Sequence, residues 1–242
     1  IPVLNIPTDY PRPALQSFEG NNIDFKISPK NTRWIVEYAR QEGVTPYMVL
    51  LAVVNILLSK LSGQENIVVG TPVAGRRHAD LEKIIGMFVN TLALRNYPGG
   101  EKNFPGFLKE LKERTLQSFE NQEYQFEDLV EKVAADRDLG RNPLFDVMFV
   151  LQNINRLPGN KVEKGTAGKQ EPAPYSYSET YGNIIPTSKF DLTITAWEVE
   201  VRQGLNISFE YCTKLFKEET IRRFMVYFNN ILSKVLKEPG IK

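Results

Sequence analysis

Residues able to do chemistry are few in this 242-residue chain: there is one histidine, His78, and one cysteine, Cys212. Nucleophilic chemistry of the Ser/His or Cys/His kind would therefore rest on His78 alone. His78 stands in the charged run Ala74-Gly75-Arg76-Arg77-His78-Ala79-Asp80, where a histidine is ordinarily a solvated surface group. Just before it, Gly70-Thr71-Pro72-Val73-Ala74-Gly75-Arg76-Arg77 follows a short apolar run and offers backbone donors and cations. Such a loop can cradle a phosphate, or be a solvated turn after a strand. From Asp136 to Asp146 charges alternate around Gly140, which suits a helix exit held by local ion pairs. The stretch Ile84 to Arg95 reads as a mostly buried strand, with Gly86 near its start and two polar side chains, Asn90 and Thr91, inside it. Buried polar groups of that kind must find hydrogen-bond partners. P-loop, dinucleotide, G-x-S-x-G and zinc-ligand spacings do not occur, so no metal site is expected.

These residues need elements to hold them. Pro2, Pro7, Pro11 and Pro13 make residues 1–20 an extended connector. Ser28-Pro29 and Thr45-Pro46 each combine an N-cap with a first-turn proline. The first predicts an amphipathic helix through Trp34, Ile35, Tyr38 and Ala39, stopped at Gly43; the second predicts a helix, Tyr47 to Leu61, buried on most sides. Ile67-Val68-Val69 is a short strand. Phe104 to Phe119 and Phe126 to Val133 have helical spacing, and the apolar run Phe145 to Leu151 reads as a buried strand. Residues 153–186 have no periodicity and form a long loop. Phe190 to Tyr211 alternates as a hairpin turning at Gly204, with a bulge where the phase slips between Ala196 and Trp197. Ile221 to Val235 is a last amphipathic helix. The expected class is α/β in the mixed α+β sense, with helices packed on a mixed β-sheet.

Composition excludes several classes. The formal net charge is +1, which gives no footprint for nucleic acid. The most apolar stretch, Met48 to Leu58, is well short of the roughly 20 residues that span a bilayer. A single cysteine precludes an internal disulfide and fits a reducing, cytoplasmic setting.

Singly, these signals are weak; their order is not. "VLNIPTDYPRP", "VVGTPVAGRRH", "IGMFVNTLALR", "NQEYQFEDLVEKV", "DRDLGRNPLFDVMF" and "KFDLTI" succeed one another as they do in the condensation domains of nonribosomal peptide synthetases. The chain resembles that family from Leu4 to its final helix, and "IGMFVNT" looks like the amide-forming type. The family's histidine motif, HHxxxDG, lies upstream of the stretch matching Leu4 to Pro13 and does not occur here. The resemblance therefore implies the C-terminal lobe of a two-lobed, chloramphenicol-acetyltransferase-like fold, over residues 21–242, with 153–186 as the arm that latches the N-terminal lobe. It implies that the lobe binds no cofactor itself and that 4′-phosphopantetheine arms tether the substrates. The implied partners are the N-terminal lobe, the upstream and downstream peptidyl carrier proteins, and an adjacent adenylation domain. It places Gly86, Met87, Asn90 and Thr91, with Thr71 and Arg76, at the tunnel wall or floor. Arg77, Arg141, Asn142, Pro143, Asp146 and Asp191 take structural parts, and no catalytic residue is implied in this chain. On that basis the lobe is expected to be inactive alone. The other reading is a docking module that binds a carrier protein or partner lobe without chemistry.

Overall fold

A computed structural model of the chain describes residues 2–76, 78–81, 84–133, 138–152, 186–200 and 204–240. Arg77 and residues 153–185, where most of the expected latch arm falls, lie outside the described residues.

Both Ser/Thr-Pro signals start helices. The Ser28 hydroxyl accepts from the amide of Asn31 (3.3 Å) and opens α1, Pro29–Gln41. The Thr45 hydroxyl accepts from the amide of Met48 (3.3 Å) and opens α2, Pro46–Ser62. α2 buries an unbroken run from Met48 to Asn55, as its all-round apolar pattern requires. Asn103 caps α3, Phe104–Glu120, through the amide of Gly106. α4, Phe126–Val133, is short, and α5, Glu218–Lys237, is long.

A six-stranded mixed sheet carries these helices. Its strands are β1 (Gly20–Ile27), β2 (Ile67–Val73), β3 (Asn90–Asn96), β4 (Val147–Gln152), β5 (Leu192–Glu200) and β6 (Gly204–Cys212), in the spatial order β1-β6-β5-β4-β2-β3. β4 runs parallel to β5 and β2, and the other neighbours are antiparallel. The fold is thus mixed α+β, as the pattern of elements implied.

Side-chain alternation gives the sheet two faces. One bears Ile67, Val69, Leu94, Val147, Phe149, Ile194, Ile207 and Phe209, all buried in the main core with α1, α2, α3 and α5. Tyr47 stacks on Phe149 at 5.3 Å, and Phe228 meets Phe25 and Phe209 edge-on at 6.0 Å. Among the described residues the other face has a small apolar cluster, in which Val130, Phe126 and Leu129 of α4 meet Val68, Ala93, Met148, Leu144, Phe145 and Phe190.

Four local expectations are corrected. β1 was not anticipated; Ile23, Phe25 and Ile27 alternate, but the run is short and wedged between a proline-rich segment and a helix cap. The strand expected from Ile84 begins only at Asn90, because its partner β2 ends at Val73, which pairs with Asn90. Ile84 to Val89 have no ladder to join and run as an exposed loop. Phe145 precedes β4, where its ring fills the space above Gly70, so close that a Cβ on Gly70 would lie 2.1 Å from it. The bulge in the hairpin falls between Glu198 and Glu200, slightly beyond the expected slip.

Candidate functional site

On the sheet's second face, cross-strand register aligns polar side chains in rows. One row runs Asn22, Glu210, Thr193, Met148, Gly70 and Ala93. The next runs Asp24, Ser208, Thr195 and Val150, and the third Lys26, Asn206, Trp197 and Gln152. The first two rows pass from polar groups at the β1 edge to apolar ones at β4, and the third ends on Gln152. Among the described residues no helix covers this face beyond α4. Thr193, Thr195, Ser208, Asn206, Trp197 and Glu210 are all half-buried. The Thr193 hydroxyl donates to Glu210 Oε1 at 3.4 Å. Burial pushes the Glu210 carboxyl up, against the opposing pull of its hydrogen bonds to Thr193 and Ser188. Trp197 Nε1 is buried without a hydrogen-bond partner among the described residues.

Asn90 and Thr91 divide between the faces. Asn90 shares the helix side with Leu92 and Leu94. Its Nδ2 donates to the carbonyls of Gln122 and Tyr124, each at 2.8 Å, and its Oδ1 accepts from the Thr91 amide at 2.8 Å. The amide thus pins the start of β3 to the turn between α3 and α4. Thr91 lies on the second face, next in line to Ala93. Thr71 is buried on the helix side, in register with Leu92. Gly86 and Met87 lie in the loop before β3, and Met87 is fully exposed. Arg76 donates to the carbonyls of Leu81, Ile84 and Gly86. His78 precedes a turn at Ala79–Leu81 and is exposed.

A second cluster gathers Arg141, Asn142, Pro143, Asp146 and Asp191, the described residues given structural parts. Asp146 lies just before β4 and Asp191 just before β5, so the parallel pairing sets their carboxyls side by side. Arg141 Nη1 donates to Asp146 Oδ2 at 2.6 Å and also reaches the Leu4 carbonyl at 3.3 Å. Arg12 makes a two-pronged pair with Asp191, Nη1 to Oδ1 at 2.9 Å and Nη2 to Oδ2, and donates to the Gly140 carbonyl at 3.1 Å. Asn142 donates to the Lys189 carbonyl at 3.2 Å, and Pro143 follows it at the turn into Leu144. Burial and the neighbouring Asp191 charge push the Asp146 carboxyl up to about 6, against the downward pull of Arg141 and Arg12. The Asp146 Oδ1 has no partner among the described residues.

Sequence reasoning found one side of this cluster and missed Arg12, which stood inside a segment read as a connector and a family motif with no part assigned to the arginine. Asp9 was missed too: its carboxylate accepts from the Lys217 amide and the Thr220 hydroxyl, each at 2.9 Å, and so caps α5. An acidic residue among prolines was the available signal for it; nothing local announces a cap 208 positions away. The Glu210 position was legible as the polar phase of an alternating strand.

Among the described residues no group of acidic, histidine or cysteine side chains could hold a metal ion, and no single helix is long and apolar enough to cross a membrane.

Comparison with known proteins adds family and fold. A family model described as a condensation domain matches residues 1–242. Bacitracin synthase 3 of Bacillus licheniformis is 46% identical over 237 residues, which are 98% of this chain and 4% of that protein. A four-domain nonribosomal peptide synthetase, solved bound to AMP and glycine, superposes with a TM-score of 0.85 at 27% identity, over 99% of this chain and 18% of its own. The condensation domain from the Monacolin K polyketide synthase superposes with a TM-score of 0.76 at 18% identity, over 100% of this chain and 54% of its own. The chain thus spans a small fraction of a whole synthetase and about half of that solved condensation-domain chain.

Proposed function

This chain belongs to the condensation-domain family, and we propose that it forms one wall of a tunnel in which two carrier-bound thioesters are joined through an amide. The downstream aminoacyl amine attacks the upstream acyl or peptidyl thioester carbonyl. A C–N bond forms, the C–S bond breaks, the upstream thiol leaves with the amine's proton, and the product stays on the downstream carrier. Both reactants ride on 4′-phosphopantetheine arms, which are substrate tethers and not cofactors of this lobe. The partners are an N-terminal lobe carrying the histidine motif, the two peptidyl carrier proteins and an adjacent adenylation domain.

The observation that carries this reading is the asymmetry of the sheet. Helices bury one face, while the other leaves rows of hydroxyl, amide and carboxyl groups half-buried. The outer antiparallel strands could meet water on such a face, but β2, β4 and β5 pair in parallel at the centre, and parallel strands are ordinarily covered on both faces, so the thinly covered polar face there suits a further element lying against it. Half-buried Thr193, Thr195, Ser208 and Asn206 offer donors and acceptors suited to the amides of a pantetheine arm. Their task is alignment: holding two tethered reactants at reacting distance lowers the barrier without further chemistry.

The test is aminoacyl transfer between two loaded carriers. The 242-residue chain alone should give no product, and addition of a separately made N-terminal lobe should give some. Turnover by the chain alone, lost on His78→Ala, would overturn the reading. Carrier capture without transfer, even with the N-terminal lobe present, would favour the docking module.

A further inference from the structure

Ile84, Ile85, Met87 and Val89 all face solvent, Ile85 and Met87 completely. A segment so apolar, with no strand to pair with, would be driven onto the nearest apolar surface. One side chain holds it out. Arg76 Nη1 donates to the carbonyl oxygens of Leu81 and Ile84 (2.9 Å to the latter), and Nη2 donates to that of Gly86 at 3.1 Å. Its guanidinium carbon stands 4.2 Å from the ring centre of Phe88. Beneath it Gly75 turns at φ +64°, where a Cβ would lie 1.8 Å from the Phe88 carbonyl oxygen. Backbone at three positions and the ring at a fourth thus converge on one planar cation.

Only a guanidinium suits this arrangement. It offers several donors in one plane and a flat face for the ring, whereas a lysine ammonium is a point charge with no face to stack. The same bonds commit the Arg76 guanidinium to backbone carbonyls rather than to a phosphate. The clasped loop leads through Val89 directly into Asn90, and Thr91 follows on the second face.

We infer that Arg76 is a positioning residue for amide formation, acting through the loop carbonyls it holds rather than by touching substrate. The inference rests on the reading of Ile84 to Arg95 as part of the tunnel wall. Arg76 sets the height and direction of that stretch, and with it the position of Thr91 relative to a substrate arm.

The experiment uses the complete synthetase module with both carriers loaded and compares Arg76→Met, Arg76→Lys and Arg76→Ala with the parent. Proteolytic cleavage within Ile84 to Val89 should become about tenfold faster in Arg76→Met, because the loop backbone loses the group that gathers its carbonyls. Turnover per folded protein should fall about tenfold, with KM for either loaded carrier nearly unchanged, because carriers dock outside the tunnel and only alignment is lost. Arg76→Lys should recover little, since it restores charge without the fork. Millimolar methylguanidinium should restore part of the activity of Arg76→Ala. Unchanged cleavage in Arg76→Met overturns the clasp itself. Faster cleavage with turnover per folded protein intact leaves the clasp standing but removes this stretch from the substrate path. Met87→Ser in the same module checks that second outcome, since it alters the loop surface while leaving the clasp in place.

Discussion

Adjacent residues of one strand can have unrelated jobs, and Asn90 and Thr91 illustrate it. Asn90 spends both ends of its amide on backbone, two carbonyls on one side and the Thr91 N–H on the other. Asn90→Ala should leave these groups without their partner and cost about 1–3 kcal/mol, read as a lower Tm, with turnover per folded protein close to the parent's. Thr91 carries its hydroxyl to the opposite face. Thr91→Val keeps shape and removes the hydroxyl, so it should lower turnover while leaving Tm nearly unchanged. Thermal melts run beside a transfer assay check both. A Tm loss confined to Thr91→Val, with the activity loss confined to Asn90→Ala, would reverse the assignment.

At the scale of elements, the N-terminal segment is a strap. Asn5 and Val3 exchange hydrogen bonds with the Gln64 side chain, Leu4 receives Arg141, and Asp9 caps α5. Arg12 reaches Asp191 at the start of β5, and Gln16 bonds to Leu139 and Lys189. Each bond spans a long stretch of sequence, so the strap ties helix α5, strand β5 and the turn before β4 to a single line of chain. The pair between Arg12 and Asp191 is mostly buried, and losing the cation strands a carboxylate beside Asp146. Arg12→Ala should cost about 3–5 kcal/mol, the usual penalty for breaking a buried pair from one side. Denaturant unfolding measures that loss, and limited proteolysis should then cut first within residues 5–18. An unchanged midpoint would mean that the strap is held by its other bonds.

For the whole molecule, the Asp146 cluster makes stability depend on pH in a direction opposite to ordinary acid unfolding. An ordinary aspartate titrates near 3.8, and in the folded chain Asp146 is raised to about 6 by burial and by Asp191. The folded state therefore holds this proton more tightly than the unfolded one. The contribution is fully present below about 3.8 and is lost as pH rises through about 6. Tm should fall between pH 5 and pH 7.5, and Asp146→Asn should flatten that slope even though it lowers Tm overall by weakening the Arg141 pair. Equal slopes in the two proteins would place the titration elsewhere.

The sequence by itself determined whatever depends on local patterning. Ser28-Pro29 and Thr45-Pro46 announce helices because a cap and a fixed φ act within one turn. The all-round apolar Met48 to Leu58 announces a buried helix, and the alternation around Gly204 announces a hairpin. The ordered motifs carried the family. Tertiary structure alone decided what depends on distant partners. β3 starts at Asn90 because β2 ends at Val73, and Ile84 to Val89, apolar as any strand, are held in the open by Arg76. Arg12 and Asp191 meet across 179 positions because the N-terminal strap runs past the start of β5, and Asp146 lies beside Asp191 because β4 and β5 begin side by side. Hydrophobic periodicity reports which side of an element is buried; which polar groups share a face is set by strand order and register, and those are fixed only when the sheet assembles.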